Sequence, residues 1–76
     1  MEIPLSKLRK GKTGTVMYLE GGRGFQEKIF CLGIRTGKNV KVVSSQPIGG
    51  PLVVEIDGFQ VAVGRGMAEK IIVETK

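Results

Sequence analysis

The segment that decides the fold is residues 24–37, GFQEKIFCLGIRTG, whose apolar residues recur at helical spacing. Phe25, Ile29 and Leu32 lie on one face of the helix that this spacing predicts, and the helix ends near Leu32. The sequence on either side alternates between apolar and polar residues and is broken by glycine, which is typical of strands joined by turns. The chain is therefore predicted to be mainly β, with one short inserted helix.

The end of this helix is marked by Gly33, because many helices end in a left-handed residue that glycine adopts without a Cβ penalty. If Gly33 is the first residue beyond the cap, Ile34 comes next and Ile29 lies three residues before the cap. Those two isoleucines are the pair that makes the hydrophobic contact of a Schellman motif. The pattern therefore predicts a Schellman ending.

Strands account for most of the remaining sequence. Five are predicted, at residues 15–20, 40–45, 52–56, 59–63 and 71–74. In the first strand Val16 and Tyr18 face one side, because side chains alternate along a strand. Leu5 and Leu8 suit a single helical turn that plugs one end of a barrel, and residues 64–69 suit a bend or one tight turn. A chain this short cannot form two full sheets, so we expect a small, five-stranded, partly open SH3-like barrel with the helix between strands 1 and 2.

One hairpin can be derived residue by residue, because Asp57-Gly58 is a favoured two-residue type I′ turn. With these residues as the loop, three apolar pairs fall on one face of the hairpin: Ile56 with Phe59, Val54 with Val61, and Leu52 with Val63. A slip of one residue would send this whole set to the other face. We therefore expect all six side chains, Phe59 included, to face the core.

The totals describe one small domain, residues 1–76, with a net charge of +5. A single cysteine cannot form an internal disulfide, and no apolar run approaches the ~18–20 residues of a membrane span, so we expect a cytoplasmic protein. The positive charge suits an anionic partner or only solubility. Its one concentration is Lys7, Arg9, Lys10 and Lys12.

Catalytic and metal-binding patterns are missing from the sequence. It has no histidine and one cysteine, and its seven acidic residues are not clustered, so an enzyme is not predicted. Cys31 is predicted to be a small buried hydrophobic residue. Two alternatives stay open for Cys31: a soft metal ligand shared with another copy or a partner, and a reactive thiol.

A binding surface is predicted on the exposed part of the helix. Phe30 falls roughly 100° around the helix from Ile29, so it is expected to be partly exposed. Arginine and aromatic side chains tend to anchor interfaces. We therefore predict that Arg23, Lys28, Phe30 and Arg35 bind a protein partner.

The spacing of glycine and apolar residues also resembles a known family from residue 5 to residue 73. The matching pieces are Leu5-x-x-Leu8-x-x-Gly11-x-x-Gly14-x-Val16, Leu32-Gly33-Ile34-x-x-Gly37-x-x-Val40, Gly50-Pro51-x-x-Val54, Gly58-x-x-Val61-Ala62-Val63 and Ala68-x-x-Ile71-x-Val73. In this the chain resembles the FeoA family, small cytosolic accessory proteins of ferrous-iron transport. The resemblance implies an SH3-like barrel. It also implies a regulatory partnership with FeoB, the membrane ferrous-iron transporter with a cytosolic GTPase domain. Contact with the membrane would then be only indirect, through this transporter.

Two alternatives remain beside this function. The resemblance overlaps with the C-terminal SH3-like domain of iron- and manganese-dependent repressors, which implies a stand-alone metal-responsive module. The basic run suggests a nucleic-acid-binding barrel, although the scarcity of aromatic residues argues against it. No cofactor is required, and weak binding of Fe²⁺ or Zn²⁺ would need Cys31 and carboxylates from two copies. The exposed edges of an open barrel favour β-mediated homodimers.

Overall fold

The computed structural model describes residues 1–46 and 48–75, and these residues form one antiparallel sheet of six strands. The strands are β1 (Glu2–Pro4), β2 (Thr13–Leu19), β3 (Asn39–Ser45), β4 (Leu52–Ile56), β5 (Phe59–Val63) and β6 (Ile71–Glu74). A 3₁₀ turn (Leu5–Lys7) follows β1, helix α1 (Arg23–Cys31) follows β2, and a one-turn helix α2 (Arg65–Ala68) follows β5. The strands lie in the order β1-β6-β2-β3-β4-β5, and the sheet is not closed.

The predicted SH3-like fold with its inserted helix is confirmed, and β1 is an additional strand. It pairs with β6, from Glu2 opposite Glu74 to Pro4 opposite Ile72. Three residues ending in proline carry too little alternation to indicate a strand, so only the pairing with β6 reveals it. The other edge of the sheet is β5. Homodimers formed through such edges stay a prediction.

The core lies on the inner face of the curved sheet and under α1. Its buried members are Leu5, Leu8, Val16, Ile29, Ile34, Val40, Val42, Leu52, Val54, Ile56, Val63, Ala68, Ile71 and Val73. Full burial of one such large side chain stabilises the fold by about 1.5–3 kcal/mol. Both leucines of the 3₁₀ turn segment are buried, as predicted for a turn that plugs one end of the barrel.

The end of α1 has the predicted Schellman geometry. Gly33 has a φ of +86°, in the left-handed region. The N–H of Ile34 donates to the carbonyl of Ile29 at 3.3 Å, and the N–H of Gly33 donates to the carbonyl of Phe30 at 2.9 Å. Ile29 and Ile34 are both fully buried. The motif therefore ends the helix and directs the chain back into the core.

The hairpin of β4 and β5 has the predicted register. Ile56 lies opposite Phe59, and the pairing continues to Leu52 opposite Val63. Asp57 and Gly58 have φ values of 52° and 82°, as a type I′ turn requires. The prediction that Phe59 faces the core is wrong, because its side chain is 73% exposed. Phe59 begins the edge strand at the tip of the hairpin, where no further strand covers it, whereas its neighbour on β4 is buried.

A second prediction fails at an irregularity in β2. Val16 pairs with Val73 but Tyr18 pairs with Ile72, so Met17 is the extra residue of a β-bulge. Side chains after the bulge change faces: Val16 is buried, whereas Tyr18 is 45% exposed. The prediction that Val16 and Tyr18 share a face is wrong, because alternation with a period of two holds only along a regular strand.

The guanidinium of Arg65 joins the loop between β3 and β4 to the 3₁₀ turn. Its Nη2 donates to the carbonyl of Gln46 at 2.8 Å and to Oγ of Ser45 at 3.1 Å. Its Nε donates to the carbonyl of Gly50 at 3.3 Å, and Nη1 donates to the carbonyl of Ser6 at 3.5 Å. One fork-shaped side chain thus satisfies backbone carbonyls from two segments that are far apart in sequence.

We expect Gly33→Ala to lower the free energy of unfolding by about 1–2 kcal/mol, because alanine enters the left-handed region only against a steric cost. A Cβ at Gly33 would contact nothing within 4 Å, so the cost is conformational. Gly24→Ala is the matched control, since Gly24 has the same open surroundings but lies within α1. There alanine favours the helix by roughly 0.5–1 kcal/mol. Equal thermal melting of the two variants would contradict the left-handed assignment.

We expect Arg65→Ala to lower the free energy of unfolding by about 1–3 kcal/mol. The reason is that the backbone carbonyls which accept hydrogen bonds from the guanidinium would lose their charged donor. For a domain of this size each kcal/mol lowers Tm by about 4–8 °C, which a thermal melt resolves. Arg65→Lys is expected to fall between wild type and Arg65→Ala, since an ammonium keeps the charge but not the fork. If the lysine variant melts like the wild type, charge and not geometry accounts for the role of Arg65.

Candidate functional site

Three of the predicted interface residues line one shallow groove along α1. Arg23 lies at the start of the helix, Phe30 near its end, and Arg35 on the segment that follows. The other lining residues are Leu19, Gln26, Glu27, Cys31, Ile34 and Thr36. Phe30 is 56% exposed, which confirms the partial exposure that its helical position predicts. The fourth predicted residue, Lys28, is exposed in the last turn of α1 and does not line the groove.

The ring of Phe30 lies against the guanidinium of Arg35. The guanidinium carbon of Arg35 lies 4.1 Å from the centre of the ring, which is a cation–π contact. The Schellman turn makes this contact possible, because the chain reverses at Gly33 and passes back beside the last turn of α1. At an exposed site such a contact stabilises the pair by about 0.5–1 kcal/mol. Phe30 is therefore presented to solvent in a restrained position.

A second hollow extends the groove to the tip of the hairpin. It is lined by Cys31, Leu32, Gly33, Arg35, Ile56, Asp57 and Phe59. The two hollows share Cys31 and Arg35, so they form one continuous surface. We call Arg23, Phe30, Cys31, Arg35 and Phe59 the aromatic surface.

Phe59, like Cys31, is a member of the aromatic surface that the sequence predicted to face the core. The signal that could have indicated it is its position, directly after a two-residue loop on a strand that ends a sheet. The hairpin tip is held by an ion pair between Lys38 Nζ and Asp57 Oδ2 at 2.8 Å. Both side chains are partly exposed, so this pair stabilises the tip by at most about 1 kcal/mol.

Cys31 is exposed, and the prediction that it is a buried hydrophobic residue is wrong. It lies two residues beyond buried Ile29, about 200° around the helix, which places it on the outer face. Within residues 1–46 and 48–75, no three side chains of histidine, cysteine, aspartate or glutamate converge to hold a metal ion. The two other interpretations of Cys31, a shared soft ligand and a reactive thiol, stay open.

The sequence and fold are similar to those of known proteins. The model of the FeoA domain matches residues 3–75. The chain belongs to the FeoA family. A protein of Methanocaldococcus jannaschii, provisionally named Fe(2+) transport protein A, is 34% identical over 71 residues, which cover 93% of this chain and 84% of that protein. In the described part of this chain no helix has the length and apolar character needed to cross a membrane.

A second relative is a fusion. A Porphyromonas gingivalis protein named Fe(2+) transport protein A/Fe(2+) transporter FeoB fusion protein is 33% identical over 70 residues. The match covers 92% of this chain but only 8% of that protein. This member of the FeoA family is thus similar to a small part of a much longer polypeptide.

Solved structures confirm both expected resemblances at the level of the fold. A crystal structure described as an iron uptake regulatory protein (FeoA) has a TM-score of 0.94 at 30% identity, with all of each chain covered. A manganese-dependent transcriptional repressor has a TM-score of 0.89 at 25% identity, over 99% of this chain and 42% of that one. The FeoA fold therefore also occurs as one part of a metal-dependent repressor.

We expect the Cys31 thiol to react with a small thiol reagent in the folded protein about as fast as in the urea-unfolded protein, because the side chain is exposed. Absorbance of the released chromophore measures one thiol per chain. Cys31→Ala, which should release none, is the control. A reaction orders of magnitude slower in the folded state would contradict the exposed position.

Proposed function

We propose that this chain is an accessory protein of ferrous-iron uptake that binds the cytosolic part of a FeoB-type transporter through the aromatic surface. The fusion relative is the observation that carries the proposal, because its name joins a FeoA-type protein and a FeoB transporter in one polypeptide. Tethering two proteins raises the effective concentration of each for the other, so a fused pair suits proteins that associate. Family membership and the Methanocaldococcus relative support the link to Fe²⁺ transport.

The aromatic surface has the chemistry of a protein-binding site. Phe30 and Phe59 are exposed aromatic side chains, and Arg23 and Arg35 lie beside them in the two hollows. Aromatic residues and arginine are enriched among the residues that contribute most to binding energy. Arg35 restrains Phe30, and the type I′ turn positions Phe59. Less side-chain entropy is therefore lost on binding than for mobile residues.

The partner's surface can be described from the same residues. Two exposed rings require apolar pockets, and the two arginines require carboxylates or carbonyl oxygens. Glu27 also lines the groove, so it favours a hydrogen-bond donor on the partner. The proposed role is binding in the cytoplasm, where the GTPase domain of the transporter lies, and it requires neither a chemical step nor a bound metal.

A metal-responsive role is supported by the fold alone. The match to the manganese-dependent repressor concerns 42% of that protein. Weak binding of Fe²⁺ or Zn²⁺ by Cys31 together with carboxylates of two copies stays a prediction. The adaptor role has more in its favour, because both the family and the fusion relative point to it.

The test is a binding titration of the intact chain against the whole transporter in nanodiscs of zwitterionic lipid, with and without guanine nucleotide. We expect saturable binding that Phe30→Ala and Phe59→Ala each weaken by roughly thirtyfold, as anchor residues do. Both rings are exposed, so both variants should stay folded; Phe30→Ala should melt a few degrees lower, because it loses the contact with Arg35. A dependence on nucleotide would indicate that the GTPase domain is the contact.

The matched control is Tyr18→Ala, which removes a partly exposed aromatic side chain that lines neither hollow. It should leave the affinity unchanged. Lys28→Ala decides whether Lys28 contributes, because its side chain is exposed on α1 outside the groove. Unchanged binding of both phenylalanine variants would show that the aromatic surface is not the docking site. No binding in any nucleotide state would overturn the proposed partnership.

A further inference from the structure

The positive charge of this protein is concentrated in one short segment. Residues 3–19 contain four basic residues and no acidic one, whereas the rest of the chain contains eight basic and seven acidic residues. The four are Lys7, Arg9, Lys10 and Lys12, and all are exposed. None of them forms an ion pair with another residue of the described chain. This segment therefore accounts for most of the net charge of +5.

The backbone holds these charges together on a fixed turn. The N–H of Gly11 donates to the carbonyl of Val42 at 2.7 Å, and the N–H of Val42 donates to the carbonyl of Lys12 at 3.1 Å. The N–H of Lys12 donates to the carbonyl of Arg9 at 3.0 Å. We call residues 7–12 the basic turn. Like charges held close repel each other, so an anionic partner would stabilise the arrangement.

The basic turn borders a groove with donors for anionic oxygens. Lys7, Arg9 and Lys12 line it, and so do Thr13 and Asn39. The hydroxyl of Thr15, which also lines it, donates to Oδ1 of Asn39 at 2.8 Å, which leaves the amide nitrogen of Asn39 as the donor of this pair. The acidic residue in the lining is Glu74, which is bonded to the amino group of Met1. Phosphate oxygens accept hydrogen bonds from cationic side chains and from hydroxyl and amide groups.

An exposed aliphatic side chain lies in the loop between β3 and β4, which Arg65 joins to the 3₁₀ turn before the basic turn. Ile48 is 91% exposed, the most exposed large hydrophobic residue in the described chain. Its loop is joined to the 3₁₀ turn by Arg65, which donates to the carbonyls of Gln46 and Ser6. Basic residues next to an exposed aliphatic side chain suit the boundary of a lipid bilayer, where headgroups meet acyl chains. Single-stranded nucleic acid needs aromatic stacking platforms, and none of the residues lining this groove is aromatic.

The basic turn and the groove along α1 lie toward opposite ends of β2. Thr13, at the start of β2, pairs with Lys41, and β3 then continues to Ser45 and the loop with Ile48. Leu19, at the other end of β2, lines the groove of the aromatic surface. Six residues of strand separate Thr13 from Leu19, which is roughly 20 Å. The groove of the basic turn shares no lining residue with either hollow of the aromatic surface, so the two surfaces do not overlap.

We propose that the basic turn and Ile48 form a second interaction surface, which binds the anionic phospholipid headgroups of a membrane. The family resemblance implies contact with the membrane only through the transporter, whereas this surface would contact the lipid directly. It does not rest on the partnership with the transporter. The experiment that tests it uses vesicles without any transporter, so its result is independent of whether the chain binds the transporter.

The test is co-sedimentation of the intact chain with two kinds of vesicle, pure phosphatidylcholine and phosphatidylcholine with roughly one third phosphatidylglycerol. We expect binding only to the anionic vesicles, weakening steeply between about 50 and about 200 mM salt. The double variant Lys7→Gln/Arg9→Gln should weaken binding roughly tenfold or more. Ile48→Ser should weaken it without changing its salt dependence, because it removes apolar contact and no charge.

The matched control is Lys28→Gln/Lys70→Gln, which removes the same charge from residues outside this groove. Its binding should stay close to that of the wild type. Equal losses from both double variants would show that net charge alone attracts the protein, which overturns the proposed surface. Absence of binding to anionic vesicles at low salt overturns it as well. Tighter binding to a single-stranded RNA oligonucleotide than to the vesicles would assign the surface to nucleic acid instead.

Discussion

The left-handed turn at Gly33 is the constraint on which both the fold and the aromatic surface depend. Its two backbone hydrogen bonds end α1 after little more than two turns and send Ile34 into the core beside Ile29. The same reversal brings Arg35 over the ring of Phe30. If the helix continued, the chain could not return to pair β3 with β2, and Arg35 would leave Phe30. One backbone conformation thus couples the packing of the helix to the position of its most exposed aromatic residue.

The exposure of Phe30 and Phe59 follows from the size of the domain. A chain of 76 residues with an open sheet has one inner face to bury, and that face is filled by aliphatic side chains of the core. Phe30 and Phe59 are 56% and 73% exposed, so burying the rest of each ring would contribute about 1–2 kcal/mol. The free energy of burying this apolar area is not gained on folding, so it can be gained when a partner covers the rings. Exposure thus follows from packing, and the pairing of the exposed rings with arginines is what suits the proposed protein partner.

The sequence predicted those features that local chemistry determines. The Schellman ending and the register of the β4–β5 hairpin depend on glycine conformation and on alternation within a few residues. Most features it did not predict depend on the order of strands across the sheet; the exposure of Cys31 is the exception, because it follows from the position of Cys31 around α1. Phe59 is exposed because β5 is an edge, and Tyr18 because the bulge at Met17 fits β2 to β6. The strand β1 is visible only through its partner β6, and no local pattern carries that pairing.

The two surfaces differ in chemistry in a way that suits different partners. On the aromatic surface, aromatic rings lie with arginines and glutamate, so binding depends on shape and on paired polar groups. Around the basic turn, exposed lysines and an arginine line a groove, so binding there depends on charge and is screened by salt. Contacts at either surface alone would be modest. When the transporter lies in an anionic membrane, binding of one surface brings the other surface close to its own target. The second contact then forms at a high effective concentration, and the short sheet between the two surfaces fixes the orientation of the domain.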